Sequence, residues 1–150
     1  MREEDVERAL VRFRAVLHER SLKLSSVREA IVRAALARDG HFTVEELSKD
    51  LRSRGVLEAH VATVYRAIPL LVEAGLIQAT MLSRGNEHHY EVAFEREHHD
   101  HLVCKLCGKV VEFHSEALEA LQREIASRYG FVIDEHVHEL LGRCGDCQVH

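Results

Sequence analysis

The first third of the chain carries apolar residues at helical spacing. They recur at intervals of three and four positions, at Val6, Leu10, Phe13 and Leu17. This spacing places them on one face of an amphipathic helix. Two further helices are predicted to begin with capping boxes, Ser26 with Glu29 and Thr43 with Glu46. The second of these helices should end at Gly55, because glycine is favoured just past a helix C-terminus.

A fourth helix is predicted over residues 60–75, with a hairpin after it. The helix should turn four apolar residues inward, Val61, Val64, Ile68 and Leu71. Its other face then shows Ala62, Thr63, Tyr65 and Arg66. Residues 76–92 predict two short strands around an Arg-Gly-Asn turn. Helices followed by a hairpin are typical of a winged-helix domain, whose last helix enters the major groove of DNA. A plain helical bundle with no DNA-binding role is the alternative.

The second half of the chain alternates short strands and a helix. Residues 101–104 and 110–113 are strand-like, Ser115 is the predicted N-cap of a helix, and residues 131–142 are strand-like again. These elements predict a small α/β domain, so the fold class of the whole chain is α+β. The predicted boundaries are residues 1–91 for the DNA-binding domain, 92–97 for a hinge and 98–150 for the second domain.

Charge is unevenly distributed between the two halves. The net charge is −5, yet residues 1–86 hold 14 basic and 12 acidic residues, against 6 and 13 in residues 87–150. The acidic half also holds nine of the twelve histidines, so bound cations would offset part of its charge. A charged N-terminus and the lack of a long apolar run predict a cytoplasmic protein without a membrane span.

Four cysteines form two C-x-x-C pairs, Cys104 with Cys107 and Cys144 with Cys147. Four thiolates suit a closed tetrahedral zinc site, which is structural because no ligand position is left for water. The region between the pairs contains a whole strand, helix and strand, so zinc would join the end of the second domain to its start. Two redox pairs or two disulfides are the alternatives.

The segment "HHDH" at residues 98–101 predicts two separate metal sites. In an extended strand, successive side chains point to opposite faces. His98 and Asp100 would therefore share one face, and His99 and His101 the other. Further candidate ligands lie outside the segment, at His41, Glu91, Glu112, Glu119, His136 and His138.

Three stretches together resemble the ferric uptake regulator family of metal-dependent transcription factors. They are "ATVYRAI", "HHDHLVCKLCGKVVEF" and the closing "CGDC". The likeness runs through nearly the whole chain in order and spacing. It implies a homodimer, possible pairing of dimers into a tetramer, an N-terminal winged helix that binds double-stranded operator DNA, and a C-terminal dimerisation domain without enzymatic activity.

The resemblance also implies roles for individual residues. The regulatory metal site would take five ligands, His41, Glu91, His99, His101 and Glu112. A second site inside the dimerisation domain would take four, His98, Asp100, Glu119 and His136. The cysteines match the structural zinc site of the family. The DNA contacts would come from Lys23, Arg28, Thr63, Tyr65 and Arg66.

The predicted mechanism is a metal that fixes the angle between the two domains. In a dimer, this angle sets the distance between two recognition helices, which must match half-sites about one helical turn apart. Imidazole and carboxylate ligands suit Fe²⁺, Mn²⁺ or Zn²⁺. The regulatory set contains no cysteine, unlike many zinc sensors of the family, and holds Glu112 where peroxide sensors tend to have aspartate. Iron is therefore the predicted effector, with manganese second.

Two features depart from the family pattern. The hairpin carries His88 and His89, and His89, two residues before Glu91 on the same strand face, is either an additional or alternative ligand or an exposed strand residue. The other departure is Pro69, and two rival functions also exist. Pro69 lacks a backbone donor and is predicted to interrupt the recognition helix with a kink. His89-Tyr90-Glu91 followed by Cys104 and Cys107 resembles the H-x-E…C-x-x-C part of a zinc deaminase site. The sequence lacks the proline that this pattern expects, and a deaminase interpretation leaves the second cysteine pair and the "HHDH" cluster without a role. A thiol redox switch is the third possibility.

Overall fold

The chain folds into two compact units, Met1–Arg96 and Glu97–His150. The computed structural model of the protein describes residues 1–80, 88–95, 99–134 and 136–148. Val92 and Phe94 are buried in the core of the first unit, at 3 % and 2 % exposure. The hinge over residues 92–97 stays a prediction.

Six helices and five strands make up the described part of the chain. The first unit contains α1 (Glu3–Glu19), α2 (Ser26–Leu36), α3 (Val44–Ser53), α4 (Val61–Glu73), β1 (Ile77–Thr80) and β2 (His89–Val92). The second contains β3 (Asp100–Cys104), β4 (Val110–Phe113), α5 (Glu116–Arg128), β5 (Glu139–Gly142) and α6 (Gly145–Gln148). No described helix has the length and apolar character needed to cross a bilayer.

The helix α3 begins with the predicted capping box, whereas the N-cap of α2 lies one residue earlier than predicted. Thr43 and Glu46 form the expected reciprocal capping box of α3. The N-cap of α2 is Ser25, whose hydroxyl accepts from the backbone N–H of Arg28, so the predicted box between Ser26 and Glu29 is wrong. Glu29 lies one position too far along to serve as the third helical residue, which is where a capping box needs its acid.

The helix α4 continues through Pro69 to Glu73, so the predicted interruption is wrong. Proline removes one backbone donor, but Ile68, Leu70 and Leu71 beside it are buried in the core and hold this turn in place. Val61, predicted to point inward, is 40 % exposed because it is the first residue of the helix.

The wing of the first unit is an antiparallel hairpin. The strands β1 and β2 pair in a register that places Gln78 opposite Glu91 and Thr80 opposite His89. The predicted Arg-Gly-Asn turn falls in residues 81–87, outside the described residues. Phe42 adds a single bridge to Tyr90, through two backbone hydrogen bonds of 2.9 and 2.8 Å. The segment before α3 is thereby joined to the wing.

The second unit is a three-stranded sheet in the order β4-β3-β5, with α5 between β4 and β5 in the chain. The strand β3 pairs antiparallel with β4 and parallel with β5. The strand predicted over residues 131–142 forms only at Glu139–Gly142. Its four residues pair with His101–Cys104 of β3.

Burial differs sharply between the two units. The hydrophobic core cluster lies entirely in the first unit, and its largest members include Phe13, Phe42 and Leu71. In the described part of the second unit, the buried residues are Asp100, His101 and Cys104. The helix α5 buries no residue. The predicted α+β class and the order of a winged-helix domain followed by a small sheet domain are confirmed.

Candidate metal centres and nucleic-acid interface

The four cysteines converge at one end of the second unit. One sulfur from each of Cys104, Cys107, Cys144 and Cys147 lies within 4.8 Å of the others. The turn between the first two is closed by a hydrogen bond of 2.9 Å from the N–H of Gly108 to the carbonyl of Cys104. Gly108 has a φ of +76°, a conformation that glycine adopts without strain. This donor set matches a tetrahedral zinc site in type and number.

Backbone donors prepare this cluster for anionic sulfur. The pKa of Cys104 is lowered to about 5, because the backbone N–H groups of Cys107 and Cys144 donate to its sulfur. The pKa of Cys147 is raised to about 12 by its hydrogen bonds with the sulfurs of Cys144 and Cys107. Four sulfurs in one cluster cannot all ionise without a positive charge among them, which a divalent cation supplies.

In the first unit, the predicted ligands His41 and Glu91 lie side by side. Nε2 of His41 is 3.3 Å from Oε2 of Glu91. The bridge between Phe42 and Tyr90 produces this proximity, since His41 precedes one partner and Glu91 follows the other. The carboxylate of Glu91 is fully buried, and its Oε1 accepts a 2.6 Å hydrogen bond from Nε2 of Gln78.

In the second unit, His99, His101 and Glu112 meet on one face of the sheet. One ligand atom of each lies within 4.8 Å of the others. The rings of His99 and His101 are 5.0 Å apart between centroids, and Nε2 of His99 is 3.8 Å from Oε1 of Glu112. Glu112 is opposite His101 in the register of β3 and β4, so their side chains leave the same face.

The opposite face of β3 holds a second group. Asp100, Glu119 and His136 each place one ligand atom within 4.8 Å of the others, and Nε2 of His136 is 3.0 Å from Oε1 of Glu119. Asp100 is 1 % exposed. The fourth predicted ligand, His98, lies outside the described residues. Strand alternation therefore separates Asp100 from His99 and His101, as the sequence predicts.

The predicted base-reading residues lie on α4. Tyr65 is 44 % exposed and its hydroxyl donates to Oε1 of Glu45 at 3.2 Å. Arg66 is exposed, and its Nε donates to the carbonyl of Ala62 at 3.1 Å. Thr63 is half-buried. An exposed aromatic, a guanidinium and a hydroxyl on one helix can contact base edges and phosphates.

Two further predicted DNA contacts lie where the chain enters α2. Lys23 is exposed, and its carbonyl accepts a 2.5 Å hydrogen bond from Nη1 of Arg28. The hydrogen bond keeps the two cationic residues next to each other at the start of this helix.

Two residues close to these groups are not predicted by the sequence pattern. Gln78 contacts a predicted metal ligand and Glu45 contacts a predicted base-reading residue. The hairpin register identifies Gln78 as the neighbour of Glu91, because the two residues are directly opposite. No signal in the sequence pairs Glu45 with Tyr65, because their contact depends on how α3 packs against α4.

Comparisons with known proteins agree on one family. The model of the "Ferric uptake regulator family" matches residues 19–141. The ferric uptake regulation protein of Campylobacter jejuni is 38% identical over 139 residues, which cover 92% of this chain and 87% of that protein.

Solved structures show the same likeness. The ferric uptake regulator of Helicobacter pylori, described as having three functional metal binding sites, superimposes with a TM-score of 0.79 at 28% identity. The match covers 97% of this chain and 95% of that one. A zinc uptake regulator in complex with zinc and DNA matches with a TM-score of 0.61 at 25% identity and covers 95% of each chain.

Proposed function

The chain belongs to the ferric uptake regulator family of metal-responsive transcription regulators, and on this basis we propose that it is a repressor that binds operator DNA as a homodimer when Fe²⁺ is bound. It acts without catalytic activity and, because its target is DNA, in the cytoplasm. Manganese is the second candidate effector.

The observation that carries this proposal is a divided set of ligands. The first unit pairs His41 with the buried carboxylate of Glu91, and the second collects His99, His101 and Glu112. Fe²⁺ and Mn²⁺ usually take more protein ligands than the two of the first unit or the three of the second unit alone. The two groups together give five nitrogen and oxygen donors without a thiolate, a set that suits Fe²⁺ or Mn²⁺.

The chain's own residues couple metal binding to DNA binding. When His41 and Glu91 of one unit share a cation with His99, His101 and Glu112 of the other, the two units are held at one angle. In a homodimer, this angle fixes the separation of the two α4 helices, which must match two half-sites. Only the state with the matching separation binds operator tightly, so metal and operator should each increase affinity for the other.

The four-cysteine cluster would hold a structural zinc ion. A closed set of four thiolates leaves no position for an effector to enter, and it joins the turn after β3 to the start of α6. Asp100, Glu119 and His136, with His98, would form a further site confined to the second unit. That site adds stability there and does not set the interdomain angle.

The exposed apolar residues of the second unit support the proposed homodimer. This unit exposes Leu121, Ile125, Tyr129, Phe131, Leu140 and Leu141, at 47 % to 77 %. Burying apolar surface is favourable by about 25 cal/mol per Å². A second copy would cover residues that the unit itself leaves in water. Pairing of dimers into a tetramer is the larger assembly to test.

The proposal is tested by operator affinity at buffered free metal. A duplex is first selected from a random-sequence library with the metal-loaded protein, and its dissociation constant is then measured against free Fe²⁺, Mn²⁺ and Zn²⁺. We expect the free metal concentration that raises operator affinity, divided by the supply of that metal in the cell, to be lowest for Fe²⁺. The zinc content of the cysteine cluster should stay constant throughout. Equal operator affinity with and without every metal would overturn the proposal.

A further inference from the structure

The wing of the first unit holds a buried carboxylate whose two oxygens have different neighbours. Oε1 of Glu91 accepts a 2.6 Å hydrogen bond from Nε2 of Gln78, and Oε2 lies 3.3 Å from Nε2 of His41. Glu91 is 0 % exposed. A carboxylate removed from water is costly unless donors or cations replace its hydration. Gln78 supplies one such donor.

The contact is built into the hairpin rather than into a loop. Gln78 and Glu91 are directly opposite in the antiparallel register of β1 and β2. Opposed side chains leave the same face of a two-stranded sheet about 5 Å apart, within reach of a side-chain hydrogen bond. The backbone ladder therefore fixes where the amide of Gln78 meets the carboxylate.

The neutrality of the glutamine donor has a chemical consequence. Its amide donates to one oxygen without adding charge, so the carboxylate keeps its full negative charge for a cation. A lysine or arginine there would neutralise Glu91 and compete with the cation. A leucine of similar size would leave Oε1 buried without this donor.

We propose that Gln78 is a positioning residue for metal binding: it holds Oε1 of Glu91, so that Oε2, beside His41, is the oxygen offered to the cation. This inference rests on the bridging site proposed above. Outer hydrogen-bond partners of metal ligands typically contribute about 10- to 100-fold in metal affinity.

Thr80 provides a matched control on the same strand. It lies two residues after Gln78, so its side chain leaves the same face. Its hydroxyl donates to the carbonyl of His89 at 3.4 Å, a backbone acceptor rather than a proposed ligand. Thr80→Val removes this hydrogen bond with little change in shape, as Gln78→Leu does at the proposed position.

The experiment measures Mn²⁺ affinity of the zinc-loaded full chain by the decrease of the free Mn²⁺ electron paramagnetic resonance signal. All variants carry Glu119→Ala, which removes a ligand of the other proposed site and leaves one class of binding site. Gln78→Leu should raise the Mn²⁺ dissociation constant by about 10- to 100-fold. Gln78→Glu, of equal length, places a second carboxylate against Glu91 and should weaken binding as well. Thr80→Val should leave the constant unchanged.

A double-mutant cycle separates positioning from plain stabilisation. If Gln78 acts through Glu91, Gln78→Leu has no further effect on Mn²⁺ affinity once Glu91 is alanine. If Gln78 only stabilised the wing, Gln78→Leu would lower the melting temperature and leave Mn²⁺ affinity at 25 °C unaltered.

Three results would overturn the inference while leaving the bridging site in place. The first is a Gln78→Leu variant that binds Mn²⁺ like its parent, and the second is a Gln78→Glu variant that binds it more tightly. The third is an additive effect of Gln78→Leu in the Glu91→Ala chain. If the chain with native Gln78 and Glu91 takes up no Mn²⁺, the bridging site itself fails, and the inference fails with it.

Discussion

Neighbouring residues of one strand belong to two separate groups of candidate metal ligands. Asp100 meets Glu119 and His136, while His101 meets His99 and Glu112. This separation needs nothing more than the twofold alternation of a strand. Because each face has its own candidate ligands, single substitutions can test the two groups independently.

At the cysteine cluster, Cys104→Ser should remove the structural zinc and destabilise the second unit. Loss of a metal site belongs to the few changes that cost more than about 4 kcal/mol. Atomic absorption should find one zinc per chain in the parent and none in the variant. In sedimentation, the variant should be a monomer or aggregated. Leu106→Ser, an exposed change inside the same turn, is the control and should keep its zinc. A folded dimer of Cys104→Ser without zinc would contradict the structural role.

At the proposed bridging site, His41→Ala should abolish the increase in operator affinity caused by metal. Allosteric coupling of this kind is typically about 5- to 150-fold, and the variant should lose it while it keeps its zinc. Fluorescence anisotropy of labelled operator against free Fe²⁺ measures the effect. His18→Ala, an exposed histidine of α1, is the matched control. A normal metal response of His41→Ala would mean that no metal links the two units.

The two faces of the histidine cluster should differ in what they control. His99→Ala removes a proposed bridging ligand, so metal-dependent operator binding should disappear at unchanged zinc content. His98 is the proposed fourth ligand of the site with Asp100, Glu119 and His136, which is confined to the second unit, so His98→Ala should lower thermal stability more than metal response. Titration of both variants with metal and operator distinguishes them. The reverse pattern would show that the two faces are assigned the wrong way round.

At the scale of elements, α4 combines a buried apolar face with an exposed polar one. Val64, Ile68 and Leu71 pack in the core, while Tyr65 and Arg66 remain exposed. Burial of this apolar face on both sides of Pro69 explains why the helix continues. The exposed residues are therefore held on a rigid element, as direct reading of bases requires.

Tyr65→Ala and Arg66→Ala should each weaken operator binding without a change in metal content. A contact to a base is worth about 1–3 kcal/mol, which corresponds to roughly a 5- to 150-fold loss. If Arg66 contacts a phosphate, the slope of log affinity against log salt should fall by about one. Val72→Ala, exposed on the same helix, is the control for helix stability. Parental affinity in both variants would exclude α4 as the reading helix.

At the scale of the whole molecule, the second unit leaves its apolar residues on the surface. Its helix α5 buries no residue, although Leu121 and Ile125 lie on it. A charge at Ile125 would have to be buried in any dimer that uses this face. Ile125→Glu should therefore raise the dimer dissociation constant by at least about tenfold, since burying an unpaired charge costs several kcal/mol.

Sedimentation equilibrium of the zinc-loaded chain measures this dimer dissociation constant. Ala120→Glu is the control, because it adds the same charge to α5 at an exposed position near Glu116 and Glu124. An Ile125→Glu variant as dimeric as Ala120→Glu would place the dimer contact elsewhere.

The sequence by itself determined the features that depend on local periodicity. Helical spacing identified the buried face of α1 at Val6, Leu10, Phe13 and Leu17. Strand alternation separated Asp100 from His101, because residue directions along a strand are set by the backbone alone. The cysteine spacing predicted a four-sulfur group, and thiol chemistry predicted the kind of ion that it suits.

Only the tertiary structure decided which distant residues meet. Gln78 and Glu91 are 13 residues apart, and their contact depends on the hairpin register. Tyr65 and Glu45 are 20 residues apart and meet through the packing of α3 against α4. The course of α4 through Pro69 was decided in the same way, because the core that holds the helix comes from several elements. Local patterns specify where a side chain points, whereas its partner depends on the packing of segments that are far apart in sequence.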